Sequence, residues 1–286
     1  MTHPSTQTFE TSQAPTWCPG CGDFAIWTII KHALVALGYQ PHHVVIVFGI
    51  GCAGNQANTL RAYTFHGLHG RPLPVALGVA LANHHLKVIA VGGDGDGYGE
   101  GLAHFIHTIR ANPNITYLVH DNQVYGLTKG QVSPTSMVGF RSDSTPTGSI
   151  DEPINPIALA LAAGGGYVAR GFAGDLTHTE QLVKGALEHR GFSFVDILQP
   201  CVTFNHVNTY AWFYQRTFHL EDHQHPTGDL SAAWREATRR DDKMPLGLFY
   251  HVQRPTYEDQ VPLLHGRPLV EQPLERDITP LLHTLS

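Results

Sequence analysis

The feature that most constrains this chain is a strand–helix–strand pattern in which both strands end in turns that carry oxygen ligands. Leu86 to Val91 (LKVIAV) and Ile115 to Val119 (ITYLV) are short apolar runs with the length and composition of buried strands. Between them, Glu100 to Arg110 carries Leu102, Phe105, Ile106 and Ile109, the apolar stripe of an amphipathic helix. Such a crossover is right-handed and brings both strand ends to the carboxyl edge of a parallel sheet, where sheets of this kind bind ligands. The first turn is Gly92-Gly93-Asp94-Gly95-Asp96-Gly97, and the second is Asp121-Asn122-Gln123-Val124-Tyr125-Gly126. The glycines let backbone N–H groups approach an anion, and the following helix points its positive end at the same place. One carboxylate (Asp94) and one amide oxygen (Asn122) are too few for a calcium cage. They suit Mg²⁺, which keeps water and phosphate oxygens as its other ligands. The pattern predicts a magnesium-bridged diphosphate.

The same alternation runs along much of the chain. Helices are expected over Asp23 to Leu37 (Asp23 as cap, Gly38 as stop), Gln56 to Ala62, Leu73 to His85, Pro156 to Ala163 and His178 to His189. Strands are expected over Val44 to Phe48, Tyr167 to Phe172 and Phe192 to Leu198. Phe65 to Arg71 and the polar stretch Thr128 to Ile154 are expected as loops, and loops as long as the second are usually functional or disordered. The expected fold class is α/β: a doubly wound, mostly parallel sheet over residues 1–205. Beyond Cys201 the sequence turns aromatic and proline-rich, with one helix expected over Ser231 to Arg239. Residues 206–286 are expected as an irregular C-terminal arm packing on the domain or on a partner chain, a small appended subdomain being the alternative.

A net charge of −6 with no basic run argues against nucleic acid or an anionic membrane as the main partner. No apolar run reaches a membrane-spanning length. The first residues lack the basic and apolar regions of a secretory signal, so the expected location is cytoplasmic. Scattered histidine serves surfaces and cores more often than metals, and the pairs His42-His43 and His84-His85 receive no assignment.

Four cysteines are present: Cys18, Cys21, Cys52 and Cys201. Without a secretory signal, structural disulfides are not expected. Three readings stay open. A redox dithiol at Cys18 and Cys21 explains two of the four thiols. A structural zinc usually takes two close pairs, and only one is present. An iron–sulfur cluster accepts scattered thiolates. Spacing alone does not choose between zinc and a cluster.

Gly93-Asp94-Gly95, then 25 residues, then Asp121-Asn122 resembles the thiamine-diphosphate signature, with Asp121 where that signature has the first of two asparagines. The resemblance implies Mg²⁺ held by Asp94, Asn122 and the Val124 carbonyl, with Gly126, Leu127 and Thr128 lining the diphosphate. Further motifs widen the likeness to most of the chain: Trp17-Cys18-Pro19-Gly20-Cys21-Gly22, Gly49-Ile50-Gly51-Cys52, His69-Gly70-Arg71, Gly126-Leu127-Thr128-Lys129-Gly130-Gln131, Ser133-Pro134-Thr135-Ser136 and Cys201-Val202-Thr203-Phe204-Asn205. Together they resemble the β subunits of 2-oxoacid:ferredoxin oxidoreductases, and the Trp17–Gly22 run is more similar to the 2-oxoglutarate type than to the pyruvate type.

That resemblance implies thiamine-dependent, CoA-acylating oxidative decarboxylation of a 2-oxoacid, or its reverse, with electrons passed through one 4Fe–4S cluster to ferredoxin. It assigns the cluster to Cys18, Cys21, Cys52 and Cys201. It assigns cofactor contacts to Ile50, Gly51, Cys52, His69, Gly93, Asp94, Gly95, Asp96, Asn122, Val124, Tyr125, Gly126, Leu127 and Thr128. His69, Arg71 and Lys129 are implied as catalytic or substrate-facing. Thiamine enzymes activate their cofactor with a Glu from a pyrimidine-binding domain that this chain lacks, and Glu100 is better explained by the helix N-terminus. An α subunit is therefore expected to bring that Glu and most of the coenzyme A site, in an (αβ)2 assembly. The alternatives are pyruvate or a branched-chain 2-oxoacid as substrate, a non-redox thiamine decarboxylase subunit with zinc on its cysteines, or an electron-transfer subunit without a thiamine site.

Overall fold

Five consecutive β-branched or aromatic residues, Val44–Phe48, form strand β1, and every one of them is buried. A strand buried on both faces belongs in the middle of a parallel sheet covered by helices on each side, and the computed structural model places it there. The structure describes residues 4–273, 275 and 277–285, so parts of both expected segments, 1–205 and 206–286, lie outside the described residues. The other strands are β2 (Tyr63–His66), β3 (Lys87–Gly93), β4 (Ile115–Asp121), β5 (Tyr167–Phe172), β6 (Ser193–Leu198), β7 (Thr217–His219) and β8 (Met244–His251). They form one 8-stranded sheet in the order β2-β1-β3-β4-β6-β5-β8-β7. From β2 to β5 all neighbours are parallel; β8 pairs antiparallel to β5, and β7 runs parallel to β8.

The helices of seven or more residues are α1 (Asp23–Ala36), α2 (Pro72–Ala82), α3 (Leu102–Ala111), α4 (Pro156–Ala162), α5 (Leu176–Glu188), α6 (Tyr210–Arg216) and α7 (Leu230–Ala237), with two shorter ones, Tyr257–Gln260 and Thr279–Thr284, after β8. Alternation along the strands divides the core. Ile46, Phe48, Ile89 and Val91 face α1 and α5 on one side. Val45, Val47, Val88 and Ala90 face α2, α3, α4 and α7 on the other. The mostly parallel doubly wound sheet is the expected fold class. Among the described residues no helix is long and apolar enough to cross a membrane.

Four local differences from the sequence reading have physical causes. First, β2 falls where a loop is expected; all four of its residues are exposed at the sheet edge, so it carries no buried alternation to read. Second, the Gln56 to Ala62 helix is instead a 3-10 turn, Ala53–Asn58, that starts directly after Cys52. Third, the helix expected from Glu100 begins at Leu102, after the π-helical turn Gly95–Glu100, in which the Asp96 carbonyl accepts the Gly101 N–H at 2.9 Å. Turns of this wider type inside helices concentrate at functional sites. Fourth, the C-terminal part contributes β7 and β8 to the sheet. Pro245 and Gly247 break up the β8 sequence, and both residue types ordinarily argue against a strand.

Phe105 of α3 is fully buried, with ring centroids 4.8 Å from Phe194, 5.7 Å from Tyr98 and 5.9 Å from Tyr117. Phe105→Ala is expected to lower unfolding stability by about 3–5 kcal/mol, the range for emptying an aromatic site in a packed core. Denaturant titration of the wild-type and variant chains measures it.

Candidate active site

The carboxyl ends of β1, β3 and β4 lie side by side, and the loops that leave them enclose a cavity of about 120 Å3. Its wall takes Ile50, Gly51 and Cys52 from the loop after β1, and Gly93, Asp94, Gly95 and Asp96 from the end of β3 and the π turn. Asn122, Val124, Tyr125, Gly126, Leu127 and Thr128 come from the loop after β4, and His69 from the segment before α2. Every residue expected to contact the cofactor is therefore in one wall. Ala53 and His120 line it as well, and no motif in the sequence singles them out.

Asp96 fastens these loops to one another. Its buried Oδ1 accepts the N–H of Ile50 at 3.1 Å and of Gly70 at 2.8 Å, with His69 Nε2 at 3.8 Å. Burial pushes its carboxyl upward, against the pull of those two N–H groups. The close approach requires glycine at position 49, where a Cβ would stand 1.8 Å from Asp96 Oδ2.

Asp94 is buried beside Thr135, whose hydroxyl lies 2.7 Å from Asp94 Oδ2 and 2.7 Å from Asp121 Oδ1. One hydroxyl hydrogen cannot serve two carboxylates. One of the pair therefore holds a proton of its own. Burial pushes Asp94 up to about 6, while hydrogen bonds from Ser133 and Thr135 hold it back. Asp121 is driven much further up, by burial first and then by Asp196 and Asp94. Of the two carboxyls, Asp121 is thus the one whose charged form its surroundings disfavour more. A neutral carboxyl group at 121 has the shape and the donor of the asparagine that the thiamine signature carries there. Thr135 lies in the Ser133–Ser136 motif, but nothing in its sequence neighbourhood marks it as the bridge.

Asn122 Oδ1 accepts the Val124 N–H at 3.0 Å, which fixes the side chain within its own turn. Tyr125 donates to the Gly95 carbonyl at 3.2 Å and closes the cavity beside His69, with ring centroids 6.1 Å apart. Arg71 and Lys129 are outside the wall. Arg71 Nη1 reaches the Glu100 carbonyl at 3.3 Å, holding the end of the π turn, and Lys129 is exposed with a left-handed backbone (φ 82°).

A second cavity, of about 160 Å3, adjoins the first and is lined by Cys18, Cys21, Cys52 and Cys201. The two share Cys52, Gly126 and Leu127. A Cβ on Gly126 would sit 3.5 Å from the sulfur of Cys52 and 3.6 Å from that of Cys201. Trp17 Nε1 donates to the Cys52 carbonyl at 2.8 Å and so pins the Cys18–Cys21 turn to the loop after β1. Burial, followed by the charge of Asp23, pushes Cys21 far above the ordinary thiol range, and burial pushes Cys52 up to about 12. Among the described residues, the one set of three candidate ligand atoms lying within 4.8 Å of one another is Asp175, His178 and His219, so no three thiol sulfurs are that close. A single tetrahedral zinc, with Zn–S about 2.3 Å, holds its sulfurs about 3.8 Å apart. The thiols surround a larger space.

Volume alone would point elsewhere, to a cavity of about 500 Å3 near Phe218 and Arg239 in the C-terminal part. There Arg239 is already paired with Glu236 and Asp241, and no glycine-bearing strand end opens into it.

Residues 49–197 match the family described as thiamine pyrophosphate enzyme, C-terminal TPP binding domain. Residues 201–266 match the family of the C-terminal part of the pyruvate ferredoxin oxidoreductase beta chain. The chain is 41% identical over 260 residues to a 2-oxoacid:ferredoxin oxidoreductase subunit beta from Saccharolobus solfataricus, covering 86% of this chain and 85% of that one. The chain belongs to the 2-oxoacid:ferredoxin oxidoreductase β-subunit family. It is also 45% identical over 197 residues to the 2-oxoglutarate oxidoreductase subunit KorB of Mycobacterium tuberculosis, covering 69% of this chain and 53% of that one. Among solved structures, it superposes on a 2-oxoglutarate:ferredoxin oxidoreductase from Magnetococcus marinus, described as having 2-oxoglutarate, coenzyme A and succinyl-CoA bound. The TM-score is 0.92 at 36% identity, covering 100% of this chain and 97% of that one.

Membership of this family implies an α partner, and all of the first cavity's wall lies within the segment that matches the thiamine pyrophosphate-binding family. The residues fit the group: side-chain-free strand ends for the diphosphate and, beside them, a buried carboxyl and a buried amide oxygen. Because burial and the neighbouring carboxyls disfavour a charge on Asp121, Asp121→Asn is expected to keep cation-dependent thiamine diphosphate affinity within a few-fold. Asp94→Asn is expected to weaken it about 100-fold, the scale of ~3 kcal/mol for a lost charged partner. A cation needs Asp94 ionised, and protons compete below its raised value, so affinity should fall as pH drops through about 6 and stay level above it. Calorimetric titration of each variant between acidic and neutral pH checks both expectations.

Proposed function

We propose that this chain, joined to an α subunit, catalyses the CoA-acylating oxidative decarboxylation of 2-oxoglutarate, or the reverse carboxylation, and passes the electrons to ferredoxin. The observation that carries this reading is the wall shared by the thiamine cavity and the four-thiol cavity at Cys52 and Gly126. A non-redox thiamine decarboxylase would have no use for a four-thiol site that shares a wall with its cofactor.

In this reading Asp94, the Asn122 side-chain oxygen and the Val124 carbonyl hold Mg²⁺, and Gly126, Leu127 and Thr128 line the diphosphate. Cys18, Cys21, Cys52 and Cys201 hold one 4Fe–4S cluster, whose size suits thiols spaced too widely for a single zinc. Thiamine diphosphate, when bound, supplies an electron sink for the carbon that loses CO2. His69, the one histidine of the wall that is partly open to solvent, hydrogen-bonds substrate in this reading, and Asp96 fixes its loop. Arg71 and Lys129, outside this chain's own wall, contribute only by meeting substrate or coenzyme A carried on the partner. The choice of 2-oxoglutarate rests on the relatives whose names carry it.

The α subunit is proposed to cover the carboxyl edge and to bring the Glu that activates the cofactor. Edge strand β2 and the segment after it leave Tyr63 57%, Phe65 51% and Leu68 77% exposed, an apolar rim on the loops that reach the cavity. Apolar patches of this kind mark partner surfaces. The division at 205/206, with the C-terminal part also contacting the partner, belongs to the same proposal, as do an (αβ)2 assembly and a cytoplasmic location.

The test is anaerobic assay of the co-expressed complex with 2-oxoglutarate, pyruvate and branched 2-oxoacids, coenzyme A and ferredoxin. Ferredoxin reduction should depend on 2-oxoglutarate and on both subunits. Turnover by this chain alone would sink the shared active site, and preference for pyruvate would sink the substrate assignment. Cys201→Ser should lose most of the iron and acid-labile sulfide while keeping thiamine diphosphate binding.

A further inference from the structure

Cys21 is the one thiol of the four with two side-chain partners that reach its sulfur from residues outside the set. Its S–H donates to Asp23 Oδ2 at 3.2 Å, and Gln199 Nε2 donates to its sulfur at 3.3 Å. Neither contact is a loose surface encounter. Asp23 and Gln199 are both 0% exposed. Gln199 is held by a second bond from Nε2 to the Pro200 carbonyl at 3.0 Å, and it packs so closely on Gly22 that a Cβ there would meet its Cγ at 2.8 Å.

Asp23 is not the helix cap that the sequence suggests. It is the first residue of α1, after the N-cap Gly22, and its two side-chain oxygens are engaged by Cys21 and His120. Its Oδ1 lies 2.6 Å from His120 Nδ1, and His120 Nε2 lies 3.2 Å from Gln56 Nε2. His120 Nδ1–H donates to the Asp23 carboxylate, and the Gln56 amide meets the other ring nitrogen. Gln56 and His120 are buried as well, and His120 lines the thiamine cavity. A row of hydrogen bonds thus runs from Gln56 through His120, which is in the cavity wall, and Asp23 to Cys21.

Asp23 and Gln199 act on the sulfur with opposite sign once Cys21 is a cluster ligand. The ligand is the thiolate, so the S–H that Asp23 accepted is gone and its carboxylate faces a negative sulfur. The Gln199 N–H still donates. A negative charge beside a cluster opposes addition of an electron, whereas an N–H···S bond favours it, because hydrogen bonds and charge around the sulfurs set the potential. We propose that Asp23, held by His120, and Gln199 are opposed positioning residues for Cys21 that together set the reduction potential of the cluster. The proposal rests on the reading of the four thiols as a 4Fe–4S site.

The experiment is a redox titration of the anaerobically purified αβ complex, followed by the electron paramagnetic resonance signal of the reduced cluster, with iron and sulfide measured on each sample. Asp23→Asn should keep its iron and move the midpoint potential in the positive direction. Asp23→Glu should move it back toward wild type. Gln199→Leu should keep its iron and move the midpoint in the negative direction. Opposite shifts support the proposal. Unchanged potentials in cluster-loaded variants, or shifts of the same sign, overturn it. If both Asp23→Asn and Gln199→Leu lose iron, the two side chains only hold the cluster loop in place, and the proposal also falls. Wild-type complex that contains no iron or sulfide would instead defeat the cluster reading itself, a separate result.

Discussion

The organisation of this molecule depends on one buried carboxylate, Asp96, that joins three loops from different parts of the chain. It takes the N–H of Ile50 from the loop after β1 and of Gly70 from the segment before α2, while its own backbone forms the π turn behind Asp94. That bond set ties the cysteine-bearing loop after β1 and the segment before α2 to the glycine-rich turn after β3. With it they are parts of one rigid edge, and close packing leaves no room for a side chain at Gly49. The energetic penalty of burying Asp96, visible in its raised carboxyl, is offset by the two N–H donors it receives.

Much of the fold was legible because buried parallel strands leave an unambiguous trace. β1 is a continuous apolar run, β3 and β4 have apolar runs at their centres, β5 and β6 are interrupted only by Arg170 and Asp196, which pair with each other, and glycines end β3. β2 escaped notice because it buries nothing, and β8 because Pro245 and Gly247 interrupt it. The wall of the first cavity was legible for a related reason: its residues cluster in short motifs at strand ends. Side chains that act across the molecule were not. Asp23 and His120 are far apart in sequence, and an acidic residue at the start of a helix looks the same whether it caps the helix or is buried against a histidine. Thr135 is similarly silent, since its importance lies in standing between two carboxyls that meet only in the folded chain.

The two cavities explain why one sequence carries two kinds of site-forming motif. Both sites are built on the loops leaving β1 and β4, with the Cys18–Cys21 turn and Cys201 brought to the same place by Trp17 and by the end of β6. A thiol on each of several elements would be a poor arrangement for a structural zinc, which is better served by two tight pairs. It is a reasonable arrangement for a site that must sit against a neighbour.

The exposed edge strand has a consequence for how the chain is made. A strand that offers unpaired backbone groups together with Tyr63 and Phe65 to water is a template on which another copy can build. If the α subunit covers β2, as proposed, any excess of this polypeptide over it would be prone to associate with itself. Matched synthesis of the two chains, with assembly soon after translation, is then a condition for keeping either of them useful.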